Sequence, residues 1–416
     1  MTRPALVTLV VVAMTAGGAG AARAQESSEF PSWRLPGWTF TPGIAFGGSY
    51  DSNVALANPP ADTGRTQADR LFIVQPFGQL EYFSPRTDFA TGYRGYARRY
   101  VEVRELDGFD QQGYVSFRHL LTRRVTLFAG DSYLAAPTTD EVELNGVPFR
   151  RSGTRTNTAS AGLEARLTKF TDLTTRYDLQ WVDFDHGDRF DEDVPLDDAD
   201  LIDQPRTFLT GGWVNSWRTE VRRRVSERLA VGGEYALRRA DLNEGTRELL
   251  FQDAGAAVRF LLGPHTTLSA GAGVSLLNDR LLDDRRTGPY YRAGLTHETE
   301  RATLGVSFQK MFVPSFGFGG SSDSQELRGF VRMPVHRNRM YVQASAGWRR
   351  TDPFVAEELA LDTFRIQTTF GYSATRWLRL EAFHAYTRQD SRITGGEIDR
   401  QRVGGQVVIS QPMRIR

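Results

Sequence analysis

Between Leu173 and Trp181 the side chains alternate without a slip, with Leu173, Thr175, Tyr177, Leu179 and Trp181 on one face and Thr174, Arg176, Asp178 and Gln180 on the other. A period of two over this length is a β-strand lying between two unlike environments. The pattern recurs at Leu229, Val231, Gly233, Tyr235 and Leu237, at Leu304, Val306, Phe308 and Phe312, and at Phe364, Ile366, Thr368, Phe370 and Tyr372. What constrains the fold most is how such segments are joined. Short polar connectors sit at residues 84–87, 122–124, 168–172, 225–228, 263–265, 298–300, 334–338 and 373–376. Between consecutive short connectors lies a longer segment rich in Gly, Pro, Asp or Asn, as at 51–67, 135–153, 185–205 and 351–360. Short and long connectors in alternation predict a transmembrane up-and-down antiparallel β-barrel, an all-β fold of about 18 strands (16 to 18), with both termini on the short-turn, periplasmic side.

The physical reason is backbone satisfaction. An unpaired N–H or C=O in hydrocarbon costs several kcal/mol, so a sheet crosses a bilayer only by closing on itself. Trp38 and Phe40 in the first strand, Phe83 and Phe89 around one turn, and Phe170, Trp348 and Trp377 near other strand ends fit interfacial aromatic girdles. A mean hydropathy of −0.41 does not oppose this, because each spanning strand needs only every second residue apolar.

The N-terminus predicts export. Met1-Thr2-Arg3 precedes an apolar run from Ala5 to Ala22, and Ala22-Arg23-Ala24 has the small-x-small form of a signal-peptidase site. Gly17, Gly18 and Gly20 dilute the run, which argues against a membrane anchor. The expected organisation is a signal peptide at 1–24, a short periplasmic segment at 25–36 and an outer-membrane barrel at 37–416. With no cysteine in the chain there is no disulfide framework, thiolate metal site or lipoprotein anchor. A net charge of +1 gives no support for nucleic-acid binding.

Two stretches carry a family resemblance. TPGIAFGGSYDSNV ends the first strand in Tyr50-Asp51-Ser52-Asn53-Val54, and TGYRGYARRY forms a Tyr- and Arg-rich third strand. In these and in its overall pattern the chain resembles the outer-membrane β-barrel porin family of Gram-negative bacteria. The resemblance implies a passive outer-membrane channel, in some members associated with exopolysaccharide export. It also implies outer-membrane lipid, lipopolysaccharide and the barrel-assembly machinery as partners, and no cofactor. Such barrels commonly end on an aromatic residue, whereas this chain ends QPMRIR.

Read by parity, the lumen-facing set includes Arg176, Asp178, Arg218, Glu220, Arg222, Glu234, Arg238, Arg259, Arg365, Arg379 and Glu381. Arginine presents a fixed charge on a planar fork suited to carboxylates and phosphates, so this wall favours polar or anionic solutes; many of its members serve as bracing ion pairs. The acidic segment from Asp183 to Asp203 offers hard oxygen ligands, with Asp191, Asp193, Asp197 and Asp198 as metal candidates, but lacks the spacing of an EF-hand. Of the six histidines, His265 and His336 fall in short turns, His186 in the acidic segment, and His119, His297 and His384 on the apolar parity. No HExxH, phosphate-binding glycine loop or nucleophile–base pair is present, so the chain reads as a channel and not as an enzyme. The alternative reading is a plugged structural or surface-interaction barrel acting through long acidic loops.

Overall fold

A computed structural model describes residues 36–54, 56, 67–136, 153–185, 211–242, 245–299, 301–316, 320–335, 339–354, 360–391 and 396–415. The strands are β1 (Gly37–Asp51), β2 (Asp69–Phe83), β3 (Thr87–Tyr100), β4 (Gly108–Thr122), β5 (Val125–Ala136) and β6 (Gly153–Arg166). They continue with β7 (Thr171–Asp185), β8 (Gly212–Arg224), β9 (Leu229–Leu242), β10 (Arg247–Gly263), β11 (Thr266–Asp279) and β12 (Asp284–Glu298). The last are β13 (Thr303–Ser315), β14 (Gly320–Val335), β15 (Met340–Pro353), β16 (Leu361–Ser373), β17 (Leu378–Ser391), β18 (Gly396–Ser410) and β19 (Met413–Ile415).

From β1 to β18 each strand pairs antiparallel with the next, and β1 closes the ring on β18 and β19. The last two segments are one strand. Gly43↔Ser410 and Phe40↔Met413 share a register, interrupted only around Pro42 and Pro412, whose missing N–H groups cannot join a ladder. Nineteen segments therefore make eighteen strands. Among the described residues no helix is long and apolar enough to cross a membrane; the chain crosses with strands.

The short-turn rim follows the sequence reading, and a recurrent hydroxyl explains its tightness. Ser84, Thr122, Thr168, Ser226, Thr299 and Thr375 each accept the backbone N–H groups two and three residues on. A hydroxyl serving two backbone donors replaces the ladder bonds lost at the turn. The opposite rim departs from the expected run of long loops. The connections at 243–246, 280–283, 316–319 and 392–395 are as short as the periplasmic turns, because these hairpins keep pairing to their tips.

Two side-chain assignments are also corrected. Phe83 pairs with Gly37 on the inward parity and so does not belong to the girdle, whereas Phe89 faces outward and meets Trp38 edge-on at 5.9 Å. Phe312 does not continue the outward row of Leu304, Val306 and Phe308. Beyond Lys310 the β13–β14 hairpin bends into the barrel, burying Met311 to Phe316. Phe312 and Phe316 pack on inward-facing Val182, Phe184, Val214, Ala240, Leu242, Leu249, Phe251 and Leu277. The upper ends of β7–β11 are thus apolar on the inside, and burying a large apolar side chain there stabilises the bend by ~1.5–3 kcal/mol.

Candidate functional site: the charged lumen wall

Residues paired across an antiparallel ladder point to the same side of the sheet, so the registers carry one parity around the ring. One side holds exposed Trp38, Phe46, Phe72, Tyr93, Trp217, Val231, Leu268 and Val407, and is the lipid face. All eleven charged residues singled out from the sequence lie on the other side. That side is concave, because its contacts skip strands. Arg292 on β12 reaches Glu234 on β9 at 2.5 Å and Glu220 on β8 at 3.6 Å. Arg118 on β4 meets Glu164 on β6 at 2.7 Å, and the Tyr341 hydroxyl on β15 donates to Glu381 on β17 at 2.6 Å.

The eleven residues form two separate walls. On β7–β10, Arg176 pairs with Asp178 at 2.6 Å and Arg222 with Glu220 at 2.8 Å. Arg238 pairs with Asp253 at 2.6 Å, and the Ser275 hydroxyl donates to the same carboxylate at 2.5 Å. Arg379 pairs with Glu381 at 2.6 Å on β17, within a second group that includes Tyr341 and Gln406. Arg365 lies apart from that group on the inner face of β16, opposite Thr387 and toward the long-loop rim from Gly371, which pairs with Glu381. Three of these pairs lie within one strand, two residues apart, and the Arg238–Asp253 pair braces β9 against β10. Arg259 differs: among the described residues it forms no ion pair or hydrogen bond, and its charged neighbours are Arg222 and Glu220.

Sequence reasoning missed Arg292, Asp253 and Tyr290, which complete the first wall. The signal was available, since Tyr290 and Arg292 share a parity opposite to Tyr291 and Leu295. The floor beneath them is built from small residues. Arg222, Gly232, Ala257, Gly271 and Arg292 occupy one row across five strands. A Cβ on Gly271 would stand 2.9 Å from both Arg292 Nε and Glu234 Oε1, so glycine there lets the arginine lie flat across the wall to reach its carboxylate.

The long-loop rim is held by buried carboxylates. Asp51 on β1 accepts from Arg400 on β18, and Asp69 accepts from the N–H groups of Arg70, Glu102 and Val103 at 2.6, 3.0 and 2.9 Å. Burial pushes the Asp69 carboxyl up, but these N–H groups with that of Val101 outweigh it and hold the group below the ordinary aspartate value. Val54, Leu71, Tyr100 and Leu106 seal the same corner. The candidate metal ligands Asp191, Asp193, Asp197 and Asp198, His186 and His336, and the leader segment lie outside the described residues. Among the described residues no group of three or more His, Asp or Glu is placed to hold a metal.

No protein-family model and no curated protein matches the chain. Among solved structures it is similar to OccAB2 of Acinetobacter baumannii, with 10% identity over 90% of this chain and 98% of that one and a TM-score of 0.44. It is also similar to OpdK of Pseudomonas aeruginosa, with 10% identity over 90% and 99% and a TM-score of 0.44. OpdK with vanillate matches at 11% identity over 90% and 99%, with a TM-score of 0.42. Likeness at this level says nothing about solute or mechanism. Strand pairing and side-chain parity, taken by themselves, make the chain a closed eighteen-stranded β-barrel of the outer-membrane type.

Proposed function

We propose that the barrel is a passive, porin-like channel for polar solutes with a preference for anions. An up-and-down barrel of this strand number leaves an aqueous interior. The observation that carries the anion preference is Arg259, an inward guanidinium that among the described residues forms no ion pair, with Arg222 and Glu220 as its charged neighbours and Arg224 on the same inner face, only Ala230 and Gly232 lying between them. Such a cluster offers forked donors to a passing carboxylate or phosphate. Under the family resemblance, an anionic exopolysaccharide is a further cargo that this wall would suit. Lipopolysaccharide is the proposed neighbour of the outward charged band at Arg350, Asp362 and Arg388.

Planar-bilayer recording tests the proposal. The wild-type protein should conduct with reversal potentials shifted toward the anion, and Arg259→Glu should move them toward the cation. A barrel that never conducts refutes the channel. One observation favours the alternative of an occluded barrel acting at its rim, namely the β13–β14 hairpin folded into the interior, and the same recording decides between them.

A further inference from the structure

The joint between β12 and β13 stops halfway. Its ladder ends at Tyr291↔Lys310, whereas β11–β12 and β13–β14 pair along the full length of their strands. Above that point Asp284–Tyr290 of β12 pair with β11 on one side and with no strand of the described residues on the other. The composition of the joint fits this break. Pro289 lies on the free edge and Pro314 on the departing segment, and proline, lacking an N–H, is confined to edges.

Side chains close the gap where hydrogen bonds do not. The Phe312 ring presses on Gly288, where a Cβ would stand 2.4 Å from it. Phe312 meets Phe354 edge-on at 5.0 Å, and the Arg286 guanidinium lies 4.4 Å over the Phe354 ring. Behind them Tyr290, Met311 and Val313 pack together. On the outside, Val274 and Leu276 of β11, 47% and 43% exposed, share rows with Pro289 and Thr287. The lower part of the gap therefore opens on the apolar belt. Lys310, paired with Asp323 at 3.0 Å, marks its foot.

We infer that this joint is a lateral port, through which a single-chain anionic amphipath passes between the lumen and the outer-leaflet hydrocarbon when Phe312, backed by Phe354, swings off Gly288. Opening any other joint would expose a row of backbone groups to hydrocarbon, at several kcal/mol each. Here the ladder is already absent, and only ring packing has to yield. The edge of β12 needs polar partners, the apolar lining needs a chain, and Arg286, Arg292 and Lys310, each held by a carboxylate (Asp284, Glu234 and Asp323), can share their donors with an anionic head. Those three demands together select an amphipath over a wholly apolar or wholly polar solute. The port rests on the channel reading for its aqueous side.

The test uses the full mature barrel in vesicles, with no native cysteine to interfere. Gly288→Cys with Phe312→Cys allows the latch to be locked by oxidation and released by reductant. The probe is a diazirine-bearing long-chain fatty acid, with labelled residues mapped by mass spectrometry and potassium chloride conductance recorded in parallel. In the reduced protein, label should concentrate on the β12–β13 joint, and oxidation should lower it about tenfold by removing the open minor state while conductance is kept. Label spread evenly around the belt, label indifferent to oxidation, or a crosslinked dimer formed through the free β12 edge overturns the port. If the cysteine pair does not fold, Phe312→Ala decides: labelling of the joint should rise several-fold, and unchanged labelling overturns the inference. Loss of conductance in every form refutes the channel, while the labelling pattern still decides the port.

Discussion

Removing the Asp51 carboxylate tests how the ring is closed. Arg400 Nε donates to both Asp51 oxygens at 3.0 Å, Nη2 donates to Oδ2, and the residues are 349 positions apart in the chain. The side chains are 0% and 7% exposed, so the pair is out of water. Asp51 also accepts the Asn53 N–H at 3.1 Å, and the Asn53 amide donates to the Asp399 carbonyl at 3.1 Å, which knots the first strand to the last. Asp51→Ala leaves a buried guanidinium without its partner, and breaking a buried pair from one side costs about 3–5 kcal/mol. The joint links the two ends of the barrel, so it forms after the local hairpins, and the loss falls mainly on the unfolding rate. At one decade per 1.36 kcal/mol, unfolding should accelerate by about two to four powers of ten. The assay is a urea jump on the vesicle-embedded protein, followed by tryptophan fluorescence. Asp51→Ala/Arg400→Met should recover most of the loss, because no charge is left buried. A single variant unfolding within about fivefold of wild type, or a double variant no slower than the single, refutes the reasoning.

Asp69 supplies a pH-dependent anchor at the long-loop rim. Its folded carboxyl titrates below the ordinary 3.8, so it stabilises the 101–107 connection above that value and loses the contribution as pH falls through the lower, folded value. Hydrogen exchange of Val101 to Asp107 should therefore still be slow at pH 3.8 and quicken in stronger acid, and Asp69→Asn should quicken it already at neutral pH. Gly271→Leu should dislodge Arg292 from Glu234 and destabilise the barrel by about 1–3 kcal/mol in equilibrium urea unfolding, and a neutral effect would show that the two side chains do not lie across this glycine.

The barrel is legible in the sequence because its two environments differ so sharply. Leu173, Tyr177, Leu179 and Trp181 face lipid while Arg176 and Asp178 face the lumen, and a one-residue slip would exchange the sets. The short turns are legible for a second reason, since a Ser or Thr followed by polar residues satisfies the turn locally. The charged wall is legible only as a parity. Nothing in the order of residues shows that Arg292 crosses two intervening strands to Glu234, because that contact depends on curvature and on the glycine lane between them.

The inward hairpin is where parity reasoning fails, and the failure has a physical cause. Alternation assigns a residue to a side of the sheet; it does not assign the sheet to the wall. At Lys310 the outward row changes from apolar to charged, and on the facing strands the inner row changes from Arg238 and Asp253 to Leu249, Phe251 and Leu277. Both changes occur toward the long-loop rim, and together they mark a segment that leaves lipid and enters the lumen. A pair of prolines on the two strands of one hairpin joint, with a glycine opposite an aromatic, is the pattern by which this chain releases the end of a strand from a barrel and sets ring packing in place of the missing ladder.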